Sequence, residues 1–265
     1  MPVAVVTGAS RGIGKAIALR LANEGCAVAC MARTLKEGDV ALAGSLESTV
    51  NQIVDAGGKA MPVVTDLASA DFDAAGVIEQ VTNNFGPVDY LVNNAAAAFY
   101  NTYIDIAAKR IDISYRVNVR SPWLLAQAVL PGMVERGSGS VLNVSSATSL
   151  MPEGPPFSPS PQINGATAYG GSKAWLERAT LGAAAELYGS GVSLNTLAPD
   201  YSVATEGATA LVDLGGHPIE PLETIVEAAW ALLTGDPNQV TGQICLLYTS
   251  PSPRDATLSR MPSSA

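Results

Sequence analysis

The chain has 265 residues, a formal net charge of −9 and a sequence pI near 4.6, with 48% hydrophobic and only 15% charged residues. That length and apolar content exclude a disordered chain and provide for a substantial core. The acidic balance speaks against nucleic acid or an anionic membrane surface as partner.

No stretch reaches the roughly 18 consecutive apolar residues of a membrane span. The start, MPVAVVTGAS, lacks the basic region and cleavage site of a secretory signal and reads as a first strand. The three cysteines are too few for a disulfide framework in a chain this long. Cys26 and Cys30 have no metal-ligand spacing and are expected as buried thiols in a reduced, cytoplasmic setting. No metal site is readable, and the single histidine, His217 in LGGHPIEP, reads as an ordinary loop residue.

In chain order, Val3–Thr7 is a strand-like run that ends in a glycine-rich turn. Ile13, Ala16, Ile17 and Leu21 then repeat at helical spacing. Ala27–Met31 is a second strand, residues 46–56 a helix, and residues 61–65 a third strand. Val77, Val81 and Phe85 mark the next helix face. Tyr90–Val92 is strand-like, Trp123–Val129 helical and Val141–Val144 strand-like. Leu176–Leu187 is helical, Ser193–Leu197 strand-like and Ile225–Leu233 helical. Trp123, Trp175 and Trp230 fall in these helices and are expected in the core. Strands alternating with helices imply an α/β fold with a single doubly wound parallel sheet of Rossmann type, helices on both faces and right-handed crossovers. The proline-rich stretch MPEGPPFSPSPQING, residues 151–165, breaks the pattern and cannot be a regular helix or central strand.

The C-terminal 21 residues, CLLYTSPSPRDATLSRMPSSA, break it again: apolar periodicity stops and Ser and Pro dominate. The DNA string TGTCTCTTATACACATCT translates as Cys-Leu-Leu-Tyr-Thr-Ser. CCGAGCCCACGAGAC gives Pro-Ser-Pro-Arg-Asp, and TCTCGTATGCCGTCTTCTGCT gives Ser-Arg-Met-Pro-Ser-Ser-Ala. In this order they resemble a transposase-type sequencing-library adapter, so residues 245–265 are expected to be a non-native tail on a domain spanning residues 1–244. The run Cys245–Tyr248 is nevertheless apolar enough to continue a strand begun at Gln243.

The turn Thr7-Gly8-Ala9-Ser10-Arg11-Gly12-Ile13-Gly14 lies between the first strand and the first helix. Glycines suit a turn that takes positive φ or lets backbone approach a ligand, and the following helix offers free N–H groups and a positive dipole end to a pyrophosphate. The spacing is GxxxGxG, and TGASRGIG resembles the cofactor motif of the short-chain dehydrogenase/reductase family, classical type. The resemblance covers about residues 3–244. It continues in order through Asp66, Asn93-Asn94-Ala95-Ala96, Asn118, Ser145-Ser146, Tyr169-xxx-Lys173 and Asn195–Pro199.

The resemblance implies a nicotinamide cofactor held by Gly8, Ser10, Arg11, Gly12, Ile13, Gly14, Arg33, Asp66, Leu67, Asn94, Ala95, Ala96, Tyr169, Lys173 and Pro199. An acid at the end of the second strand would bond the ribose hydroxyls and repel a 2′-phosphate. That position holds Ala32, followed by Arg33, so NADP(H) is expected to be preferred, with NAD(H) possible and with Arg11 and Arg33 on the 2′-phosphate. Asp66 is expected to bond the adenine, with Leu67 packed beside it.

Tyr169 and Lys173 are four apart, on one face of a helix. A nearby ammonium and a positive nicotinamide ring would favour phenolate over the free tyrosine pKa of about 10. Tyr169 can then exchange a proton with a substrate oxygen. Ser146 would orient that oxygen; Ser145 is its competitor but points to the other side of an alternating strand. Asn118 matches the family asparagine that holds a water against the lysine.

The expectation is an NADP(H)-dependent oxidoreductase that interconverts an alcohol and a carbonyl on a small molecule, and family members are often homo-oligomers. A non-catalytic nucleotide sensor or an inactive truncated product is the alternative; the complete Ser146, Tyr169 and Lys173 set argues against the sensor. The chain departs from the family pattern at Ala96 and Asp200, each in place of a glycine, and in the 23-position spacing from Ser146 to Tyr169. The excess falls in residues 151–165, expected as a loop at the substrate mouth with Phe157 as an apolar contact, opposite residues 201–218. Glu153, Glu206 and Asp213 there disfavour an anionic substrate.

Overall fold

The computed structural model describes residues 1–157, 165–206 and 219–246. His217, Asp213 and most of the sequence-predicted 201–218 wall lie outside the described residues, as do residues 158–164 of the proline-rich stretch and residues 247–265 of the tail.

Strands and helices alternate as the periodicity requires. In order they are β1 Val3–Thr7, α1 Gly12–Asn23, β2 Ala27–Ala32, α2 Leu46–Asp55, β3 Lys59–Val64, α3 Ala74–Phe85 and β4 Tyr90–Asn93. Next come α4 Ala108–Tyr115, a π-turn Arg116–Arg120, α5 Ser121–Arg136, β5 Gly139–Val144, a 3₁₀ turn Ala147–Ser149 and α6 Thr167–Glu186. The chain continues through β6 Val192–Ala198, β7 Ser202–Val203, β8 Ile219–Glu220, α7 Leu222–Thr234 and β9 Ile244–Leu246. Seven strands form one parallel sheet in the order β3-β2-β1-β4-β5-β6-β9, and β7 pairs with β8 separately.

Alternation along each strand sorts the core into two layers. Ala4 and Val6 of β1 face a layer with Ile17, Leu21, Leu46, Ile53, Ile225 and Leu232, which seats α1, α2 and α7. Val3 and Val5 face the opposite layer, where Ile78, Val81, Leu125, Val129 and Met133 seat α3 and α5. Each fully buried Leu, Ile or Val contributes about 1.5–3 kcal/mol relative to exposure. Pro62 sits in β3, where the sheet ends and its missing N–H costs no further ladder bond. Helix starts are capped where the sequence supplies an oxygen: Ser45 accepts from the Ser48 N–H and Asp73 from the Gly76 N–H.

The sheet's last strand spans the boundary read from the sequence. Cys245 and Leu246 pair in parallel with Leu197 and Ala198, and the Thr196 N–H donates to Gln243 O at 2.8 Å. The tryptophans depart from expectation. Trp230 packs against the core, but Trp123 and Trp175 stand 52% and 42% exposed, their rings 5.6 Å apart across a groove between α5 and α6. Helical spacing gives the sector of a side chain but not which sector meets the sheet, and α5 is apolar on more than one side. Sequence reading also missed α4 and the π-turn. Among the described residues, no helix is long and apolar enough to cross a membrane.

Candidate active site

The sheet order reverses between β1 and β4, so the carboxyl ends of these strands open a crevice. Its floor is the turn after β1. Gly8 and Gly12 take φ of +69° and +56°, which only glycine adopts freely. A Cβ on Gly8 would lie 2.7 Å from Asn94 Nδ2, and one on Gly14 would collide with both Gly8 O and Asn94 Nδ2. Asn94 fastens β4 to this turn by donating from Nδ2 to Thr7 O at 2.9 Å, while Thr7 Oγ1 accepts from the Asn94 and Ala95 N–H groups at 3.0 Å each. Helix α1 has no side-chain cap and no acid in its first turn. A cradle closed to any Cβ and facing an uncapped helix start fits a pyrophosphate.

The adenosine end is bordered by β2. Ala32 ends the strand and Arg33 is exposed immediately after it. Arg11 is engaged elsewhere: Nε donates to Ala43 O at 2.6 Å, and Nη2 to Gly44 O at 2.8 Å and Leu42 O at 3.2 Å. The guanidinium thus holds a loop, and Glu37 holds the same loop by accepting from the Gly44 N–H at 2.9 Å. Asp66 is exposed after β3 and uses Oδ1 to accept from the Ala68 N–H at 3.0 Å, while Leu67 is buried in the core. Ser10 is buried, Ile13 is partly buried and Ala96 is exposed. Pro199 follows the end of β6. Next to it the Asp200 N–H donates to the buried Glu220 carboxylate at 3.1 Å. Burial pushes Glu220 up, and the Asp200 and Tyr201 N–H groups pull it back.

Four sequence-predicted residues meet beyond the end of β5. Ser146 follows the strand, and its Oγ accepts from the Thr148 N–H at 3.3 Å and from Thr148 Oγ1 at 3.0 Å. Tyr169 and Lys173 project from α6, with the ammonium 5.8 Å from the ring centroid. Lys173 is fully buried and donates to Val144 O at 2.6 Å. Asn118, also fully buried, sits on the π-turn, an insertion that often marks functional positions. Its Oδ1 accepts from the Ala97 N–H at 2.8 Å, and its Nδ2 donates to Ala97 O and Ser172 Oγ at 3.0 Å each. Its side-chain hydrogen bonds therefore join the β4 loop to α6.

Burial dominates the electrostatics of this cluster. Burial pushes the Tyr169 phenol well above its usual value, Tyr100 adds to that, and a hydrogen bond with Ser146 partly opposes it. Burial also lowers Lys173 to about 8, with the Glu177 carboxylate opposing. Desolvation is the largest cause of both shifts. The phenol is thus held protonated, ready to donate.

Two neighbours escaped the sequence reading. The Tyr100 ring lies 6.0 Å from that of Tyr169, and only the fold brings the β4 loop there. Glu177 is one turn beyond Lys173, so the continued spacing Tyr169-xxx-Lys173-xxx-Glu177 could have revealed it. Ser145 donates to Glu177 Oε1 at 2.5 Å, so its hydroxyl points away from the Ser146 site as strand alternation requires. Phe157, expected at the mouth, is exposed and packs against Gly154. Burial pushes the Cys26 and Cys30 thiols up to about 11 and about 12, as expected for inert buried thiols. Among the described residues no cluster could hold a metal ion.

Comparison with known proteins agrees with this geometry. The short chain dehydrogenase family model matches residues 2–213. A short chain dehydrogenase of Pseudocercospora fijiensis is 38% identical over 221 residues, covering 82% of this chain and 65% of the relative. Human hydroxysteroid dehydrogenase-like protein 2 is 32% identical over 245 residues, covering 91% of this chain and 55% of the relative. The chain therefore spans between about half and two thirds of these relatives' length. Among solved structures, the 3-oxoacyl (acyl-carrier-protein) reductase of Agrobacterium tumefaciens C58 with NADP bound superimposes with a TM-score of 0.77 at 29% identity, covering 92% of each chain. A phosphate cradle after β1, a Ser–Tyr–Lys cluster at the carboxyl end of β5 and this family match over most of the chain lead to one conclusion: the chain belongs to the short-chain dehydrogenase/reductase family.

Proposed function

We propose that the protein is an NADP(H)-dependent oxidoreductase that interconverts an alcohol and a carbonyl, with Tyr169 as general acid and base. The observation that carries this reading is the convergence of Ser146, Tyr169 and Lys173 beside the β1–β4 crevice. The Ser146 hydroxyl orients the substrate oxygen, and Tyr169 delivers its phenolic proton to that oxygen in reduction or receives it in oxidation. Lys173, charged and buried, stabilises the phenolate left behind. Asn118 holds the β4 loop against α6. When bound in the crevice, the nicotinamide supplies or accepts the hydride. The turn Gly8–Gly14 holds its pyrophosphate, Arg33 the 2′-phosphate while Arg11 braces the loop beside it, Asp66 and Leu67 the adenine, and Asn94, Ala95, Ala96 and Pro199 the nicotinamide side. The reading predicts NADPH consumption in the presence of at least one member of a panel of aliphatic and aromatic ketones. A well-folded chain that binds NADPH yet reduces none of them would favour the nucleotide-sensing alternative.

The missing acid at Ala32 and the NADP held by the similar Agrobacterium structure support an NADP(H) preference. Because Arg11 already grips loop carbonyls, Arg33 is the freer guanidinium. Arg33→Ala is expected to weaken NADPH binding about tenfold to a hundredfold, the worth of a charge-assisted bond, and to leave NADH binding nearly unchanged. Titration calorimetry reads both affinities. Equal affinity of the wild-type chain for NADH and NADPH would refute the preference.

The groove between α5 and α6 supports a homo-oligomer. Trp123, Trp175 and Val134 are exposed along this groove, an apolar surface that a second copy would cover. Light scattering is expected to give a dimer or larger for the wild type and a smaller particle for Trp123→Glu. A wild-type mass of one chain would end the idea. Buried, unpaired Cys26 and Cys30 fit a reducing, cytoplasmic compartment.

A further inference from the structure

We infer that Glu177 is a positioning residue that fixes the Ser146 segment against the helix of Tyr169 and Lys173. The inference rests on the acid–base reading of Tyr169 proposed above. The catalytic cluster is split between two pieces of chain. Ser146 belongs to the turn after β5, and Tyr169 and Lys173 belong to α6, with the proline-rich stretch between them. Something must hold the two pieces in register, because displacing reacting groups by about 1 Å can cost on the order of a hundredfold in rate.

Glu177 spans that gap. It is 9% exposed, and its Oε1 accepts from Ser145 Oγ at 2.5 Å and from Ser149 Oγ at 2.7 Å. Those two serines bracket the Ser146-Ala147-Thr148 turn, so one carboxylate oxygen grips both flanks of the segment that carries Ser146. On the helix, Glu177 lies one turn from Lys173. Lys173 in turn donates to the carbonyl of Val144, the residue before Ser145. Close packing completes the joint: a Cβ on Gly170 would collide with Thr148 O. A solvated surface glutamate would need none of this. Burying a carboxylate is costly unless it is hydrogen-bonded, and here two serines provide the bonds.

Among the described residues, the same carboxylate is the charge that acts on Lys173. The titratable groups that face the ammonium among the described residues are Tyr169, one turn before it, and Glu177, one turn after it. β5 and the turn after it present Val144 O and the hydroxyls of Ser145, Ser146 and Ser149. Loss of the Glu177 charge removes the one interaction that opposes the lowering of Lys173. Lys173 then gives up its proton at lower pH.

The test uses the full chain, NADPH and the best ketone of the panel, with three variants. Glu177→Gln keeps size and one acceptor oxygen but loses the charge. It is expected to lower kcat about tenfold or more, to leave the KM for NADPH within about twofold, and to move the alkaline limb of the pH profile down by about half a unit or more. The double variant Ser145→Ala with Ser149→Ala keeps the charge and loses the grip; kcat is expected to fall while the alkaline limb stays in place. Glu177→Asp, too short to reach both serines but still charged, should restore the limb and not the full kcat. The inference is overturned if Glu177→Gln matches the wild type in kcat and pH profile. It is overturned equally if the losses in every variant follow the loss of melting temperature alone, since that marks a purely structural glutamate. Should Glu177→Gln fail to fold, the double serine variant decides the positioning role by the same kcat reading. Tyr169→Phe separates the two ideas: if it retains ketone reduction, the acid–base reading fails, whatever the Glu177 variants do.

Discussion

Tyr169→Phe is expected to reduce ketone turnover by about 10²–10⁴-fold, the usual contribution of a positioned general acid. NADPH affinity and the melting temperature should remain close to wild type. The substitution deletes one hydroxyl, which hydrogen-bonds Ser146, and leaves the ring against Tyr100 and Lys173. One such bond is worth about 1 kcal/mol to stability, so the loss falls almost entirely on chemistry. The measurement is steady-state NADPH oxidation beside a thermal melt of the same preparation. The pH profile adds a check. The wild-type phenol is held protonated by burial, so proton donation is available throughout the neutral range. The group that changes charge on the alkaline side is Lys173, near 8. Reduction should therefore weaken as pH rises through that value. A profile that strengthens there would contradict the assignment, as would a Tyr169→Phe protein that turns over normally.

Gly14→Ala is the substitution expected to damage binding most. Its Cβ would be driven into Gly8 O and Asn94 Nδ2. Gly8 has little room to yield, since it is held at φ +69°, and Asn94 is tied to Thr7. Overpacking of this kind costs about 1–3 kcal/mol, and at about 2–4 °C per kcal/mol the melting temperature should fall by several degrees. More diagnostic is the response to cofactor. Saturating NADPH, at about a hundred times its dissociation constant, should stabilise the wild-type fold by about 2.7 kcal/mol and the variant hardly at all. Gly171→Ala provides the contrast. It lies in α6, and an added Cβ meets nothing within 4 Å. Removing a helical glycine there should raise stability by about 0.5–1 kcal/mol and preserve the NADPH response. If both alanines behave alike, the turn is not the phosphate cradle.

The crevice explains why these two effects are large while most of the polar surface is expected to be forgiving. Chemistry and cofactor binding converge on backbone atoms and buried groups that cannot relax. Arg33 sits at the exposed border, where one missing charge is expected to cost affinity and little else. At Asp200 the buried Glu220 takes the backbone N–H and fixes the path of the chain after Pro199, while the Asp200 charge adds to the upward push on Glu220.

The alternation of strands and helices, the parallel sheet, the glycine turn and the Tyr169–Lys173 spacing are legible in the order of amino acids alone. These follow from local rules: period-2 and period-3.6 apolar patterns, positive φ at glycine, and the pitch of a helix. That order even indicated that the chain around Cys245 could pair as a strand, which β9 does. Side chains whose surroundings depend on distant chain were decided only by tertiary structure. Trp123 and Trp175 look like core residues by type, but which helix sector meets the sheet is set by packing. Arg11 is legible as a basic residue in the turn, but only the fold brings residues 42 to 44 to accept from its Nε and Nη2. Asn118 is legible as a site residue, but its partners Ala97 and Ser172 are brought to it only by the fold. The charge states of Tyr169 and Lys173 follow burial, and burial is a property of the assembled fold. The joint made by Glu177 arises because residues 28 and 32 positions away in the chain place their hydroxyls on one carboxylate oxygen, a meeting that no local spacing encodes.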